Sequence, residues 1–385
     1  MPDASRMGAV QPAIIPIIAS LARETPGTIS LAQGVVWYGP PPAALDALAA
    51  LSASPDVHRY GPITGEPALI RAITDKLAAD NGILVTPARA VVVTAGSNMG
   101  FLNAVLAVTR AGDDVVLVAP YYFNHHMAVG IAGCRVVEVS AEFGIEALPA
   151  AIERALTPRT RAVVTISPNN PSGAVYPEAV LRAINGLCGR VGIYHVHDEA
   201  YEYFTYEGAR HYSPASDPDS EVHTISLFSL SKTYGMAGWR IGYMLVPERL
   251  VEAIEKVQDT NLICPTILSQ RLARVALELG SAYCREKVRE LGEVRELVLA
   301  TLAQAGERCV AWPAQGAFYC LVTVDSALTS EQLAERLIRR HRVALVPGKA
   351  FGLHDQCTLR LSYGALDRSS VSEGVGRLVE GLREL

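Results

Sequence analysis

The feature that most limits the fold is a regular alternation of short apolar runs with helical stretches between about residues 90 and 245. Most of these runs are apolar throughout rather than at every second position, which is typical of strands buried on both faces of a sheet. The pattern therefore predicts a largely parallel sheet that lies between helices. The predicted strands are Ala90–Thr94, Asp114–Val118, Arg135–Ser140, Ala162–Ile166, Ile193–His197, Thr224–Phe228 and Arg240–Val246.

One pair of these strands departs from the parallel pattern. Only about ten residues separate Phe228 from Arg240, whereas a parallel crossover needs roughly a dozen or more residues and usually contains a helix. We therefore predict that the last two strands run antiparallel to each other.

The length of the chain indicates two domains, because 385 residues exceed the usual span of one hydrophobic core. After Glu248 the pattern changes to long helical stretches, Leu250–Asp259 and Leu268–Ala303, followed by a short mixed segment. We predict an α/β protein with a large domain at residues 46–264. A smaller α+β domain would be formed by both chain ends, residues 1–45 and 265–385.

Charge and cysteine usage exclude several classes of protein. The net charge of −5 and the lack of a basic block argue against nucleic acid as a partner. The apolar segment Gln11–Ala22 is too short to span a bilayer and contains two prolines, so we expect a short helix packed on the body. An odd number of scattered cysteines, without a CxxC pair, indicates reduced thiols and a cytoplasmic protein. They are Cys134, Cys188, Cys264, Cys284, Cys309, Cys320 and Cys357.

The segment SLSKTYGMAGWR, residues 229–240, carries the strongest chemical signal. Lys232 follows a buried strand directly, and Arg240 lies eight residues later. Apolar surroundings and a nearby cation both disfavour the ammonium form, which makes a lysine amine a usable nucleophile towards an aldehyde. Ser229 and Arg240 together could hold a phosphate group.

This segment resembles the cofactor-lysine signature of the class I/II aminotransferases, a family of fold type I pyridoxal-phosphate enzymes. Family landmarks can be followed from about Gly27 to Glu380. The resemblance implies a large domain with a seven-stranded, mostly parallel sheet that contains one antiparallel strand. It also implies that pyridoxal 5'-phosphate forms a Schiff base with Lys232.

The same resemblance assigns the residues that bind the cofactor's phosphate. Gly96 and Ser97 open a helix after a strand, where free backbone amides form an anion site, and the family binds the phosphate there. Ser229 and Arg240 would complete this cradle. Tyr60 lies in a segment that, in the family, reaches the phosphate of the partner subunit, so a homodimer with shared active sites is implied.

Residues around the cofactor ring are implied by three further motifs. After the proline of PYYFNH, the family register makes Tyr122 the residue that stacks on the ring, with the neighbouring Tyr121 left open. Asn170 of SPNNPSG and Tyr201 of HDEAY would bind the phenolic oxygen. Asp198 would hold the protonated ring nitrogen and so allow the ring to accept electrons.

Other motif residues are assigned to the substrate or to supporting roles. Arg360 of TLRLSY is similar to the family arginine that binds the substrate α-carboxylate. Gly34 lies in the loop that closes over the substrate, and Asn170 contributes to substrate binding as well. His125 corresponds to a histidine that supports the aspartate, whereas we expect a solvent-facing His126 and a solvated Lys349.

The motifs favour transamination between an L-amino acid and a 2-oxo acid, without a metal. A fold type I lyase or cyclase, acting by β- or γ-elimination or cyclisation, remains the alternative. An aminotransferase-like transcription regulator is rejected, because only about thirty residues precede Gly34 and no basic patch exists. Asn98 stands where some aspartate-preferring relatives place a lysine, which favours aromatic or apolar substrates. The aromatic entrance that we expect consists of Trp37, Tyr38, Tyr121 and Tyr122.

Overall fold

The computed structural model describes residues 5–141 and 144–385, so residues 1–4 of the predicted small domain lie outside the described residues. In chain order the strands are β1 (Ile29–Ser30), β2 (Arg89–Thr94), β3 (Asp114–Ala119), β4 (Arg135–Ser140), β5 (Thr160–Ile166), β6 (Tyr194–Asp198), β7 (Thr224–Ser229), β8 (Gly242–Pro247), β9 (Cys309–Ala311), β10 (Tyr319–Val324), β11 (Val343–Ala344), β12 (Val346–Pro347) and β13 (Thr358–Ser362). The α-helices are α1 (Ile14–Glu24), α2 (Pro42–Asp46), α3 (Leu48–Ser52), α4 (Pro67–Asn81), α5 (Ser97–Val108), α6 (Phe123–Ile131), α7 (Leu148–Ala155), α8 (Glu178–Val191), α9 (Leu230–Thr233), α10 (Val251–Asn261), α11 (Ile267–Glu278), α12 (Ala282–Leu302), α13 (Ser330–His341) and α14 (Arg368–Arg383).

The larger sheet contains seven strands in the order β2-β8-β7-β6-β5-β3-β4. Within the run β7-β6-β5-β3-β4, each strand is parallel to the next. In contrast, β8 is antiparallel to both β2 and β7. The prediction of a mostly parallel sheet with one antiparallel strand is confirmed. The connection between β7 and β8 contains only the single turn of α9 and the 3-10 turn Ala237–Trp239, and it lacks the longer helix that a parallel crossover usually contains.

Two predicted element boundaries were wrong, each at a residue with left-handed backbone. Arg240 was expected to begin the last strand, but its φ of 51° cannot continue an extended chain, and β8 begins at Gly242. The helical stretch Leu268–Ala303 is divided into α11 and α12. Gly280, with a φ of 75°, lies between them and reverses the backbone as glycine does after a helix.

Helices cover both faces of the large sheet, so its inner strands are apolar at consecutive positions. Every residue of β3 is buried, with Val115 packing in the cluster of α5, α6 and α10 and Val116 in the cluster of α7 and α8. The edge strand β4 is largely exposed by comparison. Burial of each such side chain stabilises the fold by roughly 1.5–3 kcal/mol, which explains the continuous apolar runs in the sequence.

A second sheet, of four antiparallel strands in the order β12-β13-β10-β9, lies near the carboxyl end of the chain. Its core is shared with α12, α13 and α14, and β1 pairs in parallel with β11, so a segment from the amino-terminal part joins this unit. The domain limits of 46–264 and of 1–45 with 265–385 stay a prediction. Although α11 follows residue 264, it packs with α4 and β2 of the large sheet.

Within the described parts of the chain, every helix is too short or too polar to cross a membrane. The apolar segment near the amino terminus forms α1, which buries Ile18.

Candidate active site

One cavity of about 140 Å³ lies at the carboxyl ends of β5, β6 and β7, against β10 and β13 of the small sheet. In open sheets of this kind, ligands bind outside the carboxyl ends of the strands. The residues that line the cavity are Ile15, Gly34, Ser97, Asn98, Tyr122, Phe123, Ile166, Asn170, Asp198, Ala200, Tyr201, Ser229, Ser231, Lys232, Arg240, Tyr319 and Arg360. Of the residues that the motifs assign to the Schiff base, to cofactor binding or to substrate binding, all but Gly96 and Tyr60 line this cavity.

Lys232 lies in the single turn of α9, directly after β7. Ser229 caps this turn by accepting a hydrogen bond from the Ser231 amide at 3.1 Å, and Tyr38 donates its hydroxyl to the Lys232 carbonyl at 2.8 Å. Burial and, in second place, the nearby cations Arg240 and Arg360 together lower the pKa of Lys232 to about 8, although Asp198 opposes them. A larger fraction of the amine is thus unprotonated near neutral pH than in an exposed lysine.

The turn between β2 and α5 forms a concave anion site. Gly96 precedes α5 with a φ of 83°, so the first amides of the helix are free to face a ligand. The Arg240 guanidinium lies over this turn and donates to the Ala95 carbonyl at 3.2 Å. A side chain at Gly96 would approach Arg240 Nη2 to 2.7 Å, so the position is open only to glycine. Backbone amides, a guanidinium and the hydroxyls of Ser97 and Ser229 suit a phosphate group.

Asp198 ends β6 with a nearly buried carboxylate. One of its oxygens accepts the Ala200 amide at 3.0 Å. The other lies 3.2 Å from Nε2 of the buried His125, an ion-pair distance without hydrogen-bond geometry. A buried carboxylate that also faces the cavity can accept a further charged donor, such as a protonated ring nitrogen. These residues fit pyridoxal phosphate.

Arg360 is a buried cation without an acidic partner among the described residues. It is 1% exposed, and burial lowers its pKa. Its guanidinium donates to Asn170 Oδ1 at 3.0 Å and to the Ala32 carbonyl at 2.5 Å, while Nε has no partner. Burying an unpaired charge is costly, so this arrangement indicates that an anionic ligand supplies the missing charge.

The remaining predicted positions lie outside the cavity. Tyr60 is 80% exposed on the surface of its own chain. The Lys349 side chain is 60% exposed and forms an ion pair with Glu331. The expectation of a solvent-facing His126 was wrong, because this ring is partly buried and stacks on Tyr121 with centroids 5.4 Å apart.

The expected aromatic entrance was also partly wrong. Tyr121 turns away from the cavity and donates to Glu138 at 2.8 Å, since consecutive residues before a helix point in different directions. Tyr38 is used to hold the Lys232 carbonyl, and Trp37 lies at the surface beside Lys287. Of that group, only Tyr122 lines the cavity.

Sequence reasoning did not assign roles to Ile15, Phe123, Ser231 and Tyr319, although all four line the cavity. Ser231 lies inside the SLSKTYGMAGWR segment, so its closeness to Lys232 was a usable signal. Ile15 reaches the cavity from α1 only through tertiary packing, and no local pattern around it marks a site.

Comparison with known proteins identifies the family. Residues 26–378 match the family model described as Aminotransferase class I and II. The chain belongs to this family. As a class I/II aminotransferase it is an enzyme, and members of the family depend on pyridoxal phosphate. The resemblance stated from the motifs is confirmed, and the lyase or cyclase alternative is not favoured.

Similar proteins cover nearly the whole aminotransferase chain. It is 37% identical over 377 residues to aromatic aminotransferase ISS1 of Arabidopsis thaliana, covering 96% of this chain and 93% of that protein. It is 35% identical to the aspartate/prephenate aminotransferase of Thermus thermophilus, covering 81% and 80%. Among solved structures, the aromatic aminotransferase of Pyrococcus horikoshii gives a TM-score of 0.87 at 31% identity, covering 95% and 99% of the two chains. Thermus thermophilus aspartate aminotransferase with maleate gives 0.90 at 32% identity, covering 99% and 100%.

Proposed function

We propose that this aminotransferase holds pyridoxal phosphate on Lys232 and prefers aromatic or apolar L-amino acids, with a 2-oxo acid as the acceptor. The observation that carries the proposal is the pairing, in one cavity, of the Lys232 amine with the buried Arg360 guanidinium that has no acidic partner. An amino acid presents the matching groups, an amine for exchange with lysine and a carboxylate for arginine.

Each residue around the cavity has a proposed task. Bound pyridoxal phosphate supplies a ring that withdraws electrons from the substrate Cα. Lys232 Nζ would hold the cofactor and, as a free amine, would take up the substrate Cα proton as a general base. Arg360 orients the substrate by its carboxylate, and Asp198 keeps a proton on the ring nitrogen. Asn170 and Tyr201 donate to the phenolic oxygen.

Phosphate binding is proposed for the turn beside α5. Gly96 and Ser97 supply backbone amides, Ser229 a hydroxyl and Arg240 the guanidinium. Tyr122 is proposed to stack on the cofactor ring, and Gly34 to lie over the substrate.

The apolar and aromatic side chains that line part of the cavity support the substrate preference. Ile15, Phe123 and Tyr319 line it together with Tyr122. Among the described residues, the lysine and arginine side chains on it are Lys232, Arg240 and Arg360, each already assigned. A large apolar side chain is bound through area removed from water, worth roughly 25 cal/mol per Å². A second carboxylate would need another cation, and Asn98 does not supply one.

A cytoplasmic homodimer completes the proposal. The seven cysteines are free in the structure, which suits a reducing compartment. Tyr60 and Ile263 are exposed, and their chain segments touch through the Gly61 amide and Cys264 Sγ at 3.4 Å. An exposed aromatic and an exposed isoleucine at this position suit a surface covered by a second copy.

The test is conversion of single amino acids by the purified holoenzyme. The reaction is monitored through the loss of yellow absorbance and through detection of the 2-oxo acid. We expect phenylalanine, tyrosine and methionine to react faster than aspartate. Asn98→Lys adds a cation to the cavity, so it should shift the ratio of kcat/KM for aspartate over phenylalanine upward by roughly tenfold, the effect of about 1.4 kcal/mol.

The matched control is Leu106→Lys, which places the same charge on the exposed side of α5 and should leave the ratio unchanged. Release of ammonia or a cyclised product without a 2-oxo acid would refute transamination. Faster conversion of aspartate than of phenylalanine by the unaltered enzyme would refute the substrate preference alone.

A further inference from the structure

Tyr319 connects the small-sheet side of the proposed site to the large-sheet side. It begins β10 in the small sheet, is fully buried and lines the cavity. Its hydroxyl lies 2.8 Å from the hydroxyl of Tyr201, which follows β6 of the large sheet. A single hydrogen bond between buried phenols therefore connects residues 118 positions apart in the chain.

The register of the small sheet points Tyr319 and Arg360 to the same side. Tyr319 pairs with Ser362, and Leu321 pairs with Arg360, in adjacent antiparallel strands. Directly opposite residues share a face, as do residues two apart, so the two side chains are diagonal neighbours. The Arg360 guanidinium carbon accordingly lies 4.7 Å from the centre of the Tyr319 ring, a cation–π distance.

These contacts close into a ring of four residues. Arg360 donates to Asn170 Oδ1 at 3.0 Å, and Asn170 Nδ2 donates to the Tyr201 hydroxyl at 3.3 Å. Tyr201 contacts Tyr319, which lies under Arg360. The residue proposed for the substrate carboxylate is thus connected on two sides to the residue proposed for the phenolic oxygen.

The number of hydrogens decides the direction of the Tyr201–Tyr319 bond. A tyrosine hydroxyl has one hydrogen. When Tyr201 gives its hydrogen to the cofactor's phenolic oxygen, it can only accept from its neighbours, so Tyr319 has to be the donor. Burial raises the pKa of Tyr319 to about 12, so this donor keeps its hydrogen at neutral pH.

We propose that Tyr319 is a positioning residue: by donating its hydroxyl hydrogen to Tyr201, it fixes and strengthens the hydrogen bond that Tyr201 gives to the phenolic oxygen. Hydrogen bonds in a chain polarise one another, so a phenol that accepts a bond becomes a better donor. This inference rests on the proposed function, specifically on the role of Tyr201.

Gly34 leaves room for the Tyr319 hydroxyl. A Cβ at position 34 would lie 2.5 Å from that oxygen, so any side chain there has to displace it. The need for glycine at position 34 is therefore explained by the Tyr319 hydroxyl as well as by the substrate loop.

A consequence follows for the proton on Lys232 Nζ in the holoenzyme. A weaker hydrogen bond from Tyr201 leaves more negative charge on the phenolic oxygen. That charge attracts the proton on Lys232 Nζ, so this nitrogen stays protonated up to a higher pH. Tyr319→Phe removes only the hydroxyl. We expect the pH midpoint of the holoenzyme's visible absorbance to rise by about half to one pH unit, less than in Tyr201→Phe.

Three measurements separate this role from a structural one. Tyr206→Phe is the matched control, because Tyr206 is a buried tyrosine that donates to the Ala317 carbonyl at 2.8 Å. The pH midpoint of visible absorbance should not change in this variant. Tyr319→Phe keeps the ring under Arg360, so its Kd for 3-phenylpropanoate, an unreactive carboxylate, should stay within about twofold. Replacing Tyr319 by 3-fluorotyrosine, a stronger donor, should lower the midpoint.

The possible outcomes are distinct. If Tyr201→Phe raises the midpoint while Tyr319→Phe and the fluorotyrosine protein match the unaltered enzyme, the inference is overturned and the proposed function stands. An equal rise in Tyr319→Phe and Tyr206→Phe would also overturn it. If Tyr201→Phe leaves the midpoint unchanged, the proposed role of Tyr201 fails, and the inference fails with it.

Discussion

At the residue scale, Lys232 shows how reactivity is obtained at the expense of stability. Its pKa of about 8, against 10.5 for an exposed lysine, means that the folded apoprotein disfavours the ammonium form. Since the unfolded chain keeps its proton up to higher pH, the lysine destabilises the fold at pH 7 by roughly 3 kcal/mol, at about 1.36 kcal/mol for each pKa unit.

We therefore expect the apoprotein of Lys232→Met to be more stable than the unaltered apoprotein at pH 7. Between pH 8 and 10.5 the unfolded chain binds more protons than the folded one, so stability of the unaltered protein rises with pH. The advantage of the variant should shrink across this window. Denaturant unfolding at several pH values measures this difference in the free energy of unfolding. With cofactor added, the variant should form no 2-oxo acid.

Lys349→Met is the control for this prediction, because Lys349 is solvent-exposed and ion-paired with Glu331. It should give no comparable gain in stability at pH 7 and no comparable change in that gain between pH 8 and 10.5. A Lys232→Met advantage that is independent of pH would mean that side-chain packing, and not the buried charge, is the cause.

At the scale of elements, the turn between β2 and α5 combines a backbone requirement with a charge. Gly96→Ala forces an L-residue to a φ of 83° and brings its Cβ to 2.7 Å from Arg240 Nη2. The guanidinium then has to move away from the turn, where it donates to the Ala95 carbonyl. We expect the Kd for pyridoxal phosphate, measured by absorbance titration of the apoprotein, to rise by about tenfold or more.

Gly82→Ala provides the matched control at the end of α4. Gly82 has a φ of 65° and no heavy atom within 4 Å of an added Cβ. Gly82→Ala should lose about 1–2 kcal/mol of stability from its left-handed backbone, and Gly96→Ala at least as much, because a φ of 83° with a ψ of 165° is a conformation that only glycine adopts readily. Only Gly96→Ala should lose cofactor affinity, and an equal loss in both would contradict the phosphate cradle.

At the scale of the whole molecule, the proposed shared active sites can be tested with hybrid dimers. Tyr60 is exposed in its own chain and lies outside the cavity, so the role proposed for it requires a partner subunit. Lys232→Ala and Tyr60→Ala homodimers should each be inactive or weak. A purified hybrid of one chain of each kind should regain about half of the wild-type activity, because one site combines both intact residues.

The hybrid distinguishes this arrangement from one in which Tyr60 serves its own subunit, since neither site would then be intact and no activity would return. Sedimentation at assay concentration provides the second measurement. An active monomer would contradict the shared site altogether.

The sequence by itself determined the large sheet and the order of its chemistry. Strands buried on both faces have to be apolar throughout, so β3 and β7 were visible as continuous runs. Polar residues that directly follow such strands, as Asp198 and Lys232 do, have to come to one edge of the sheet. This local rule, together with the family resemblance, predicted the residues that meet in the cavity.

Only the tertiary structure decided which side chains contact one another across that edge. Arg360 and Asn170 are 190 residues apart, and Tyr319 reaches Tyr201 from another sheet. The periodicity of the sequence does not reveal such contacts, because each depends on how the small sheet packs against the large one. The same applies to Tyr121, which the motif placed at the entrance and which packing turned towards Glu138. Local chemistry fixed which residues form the site, and long-range packing fixed their partners.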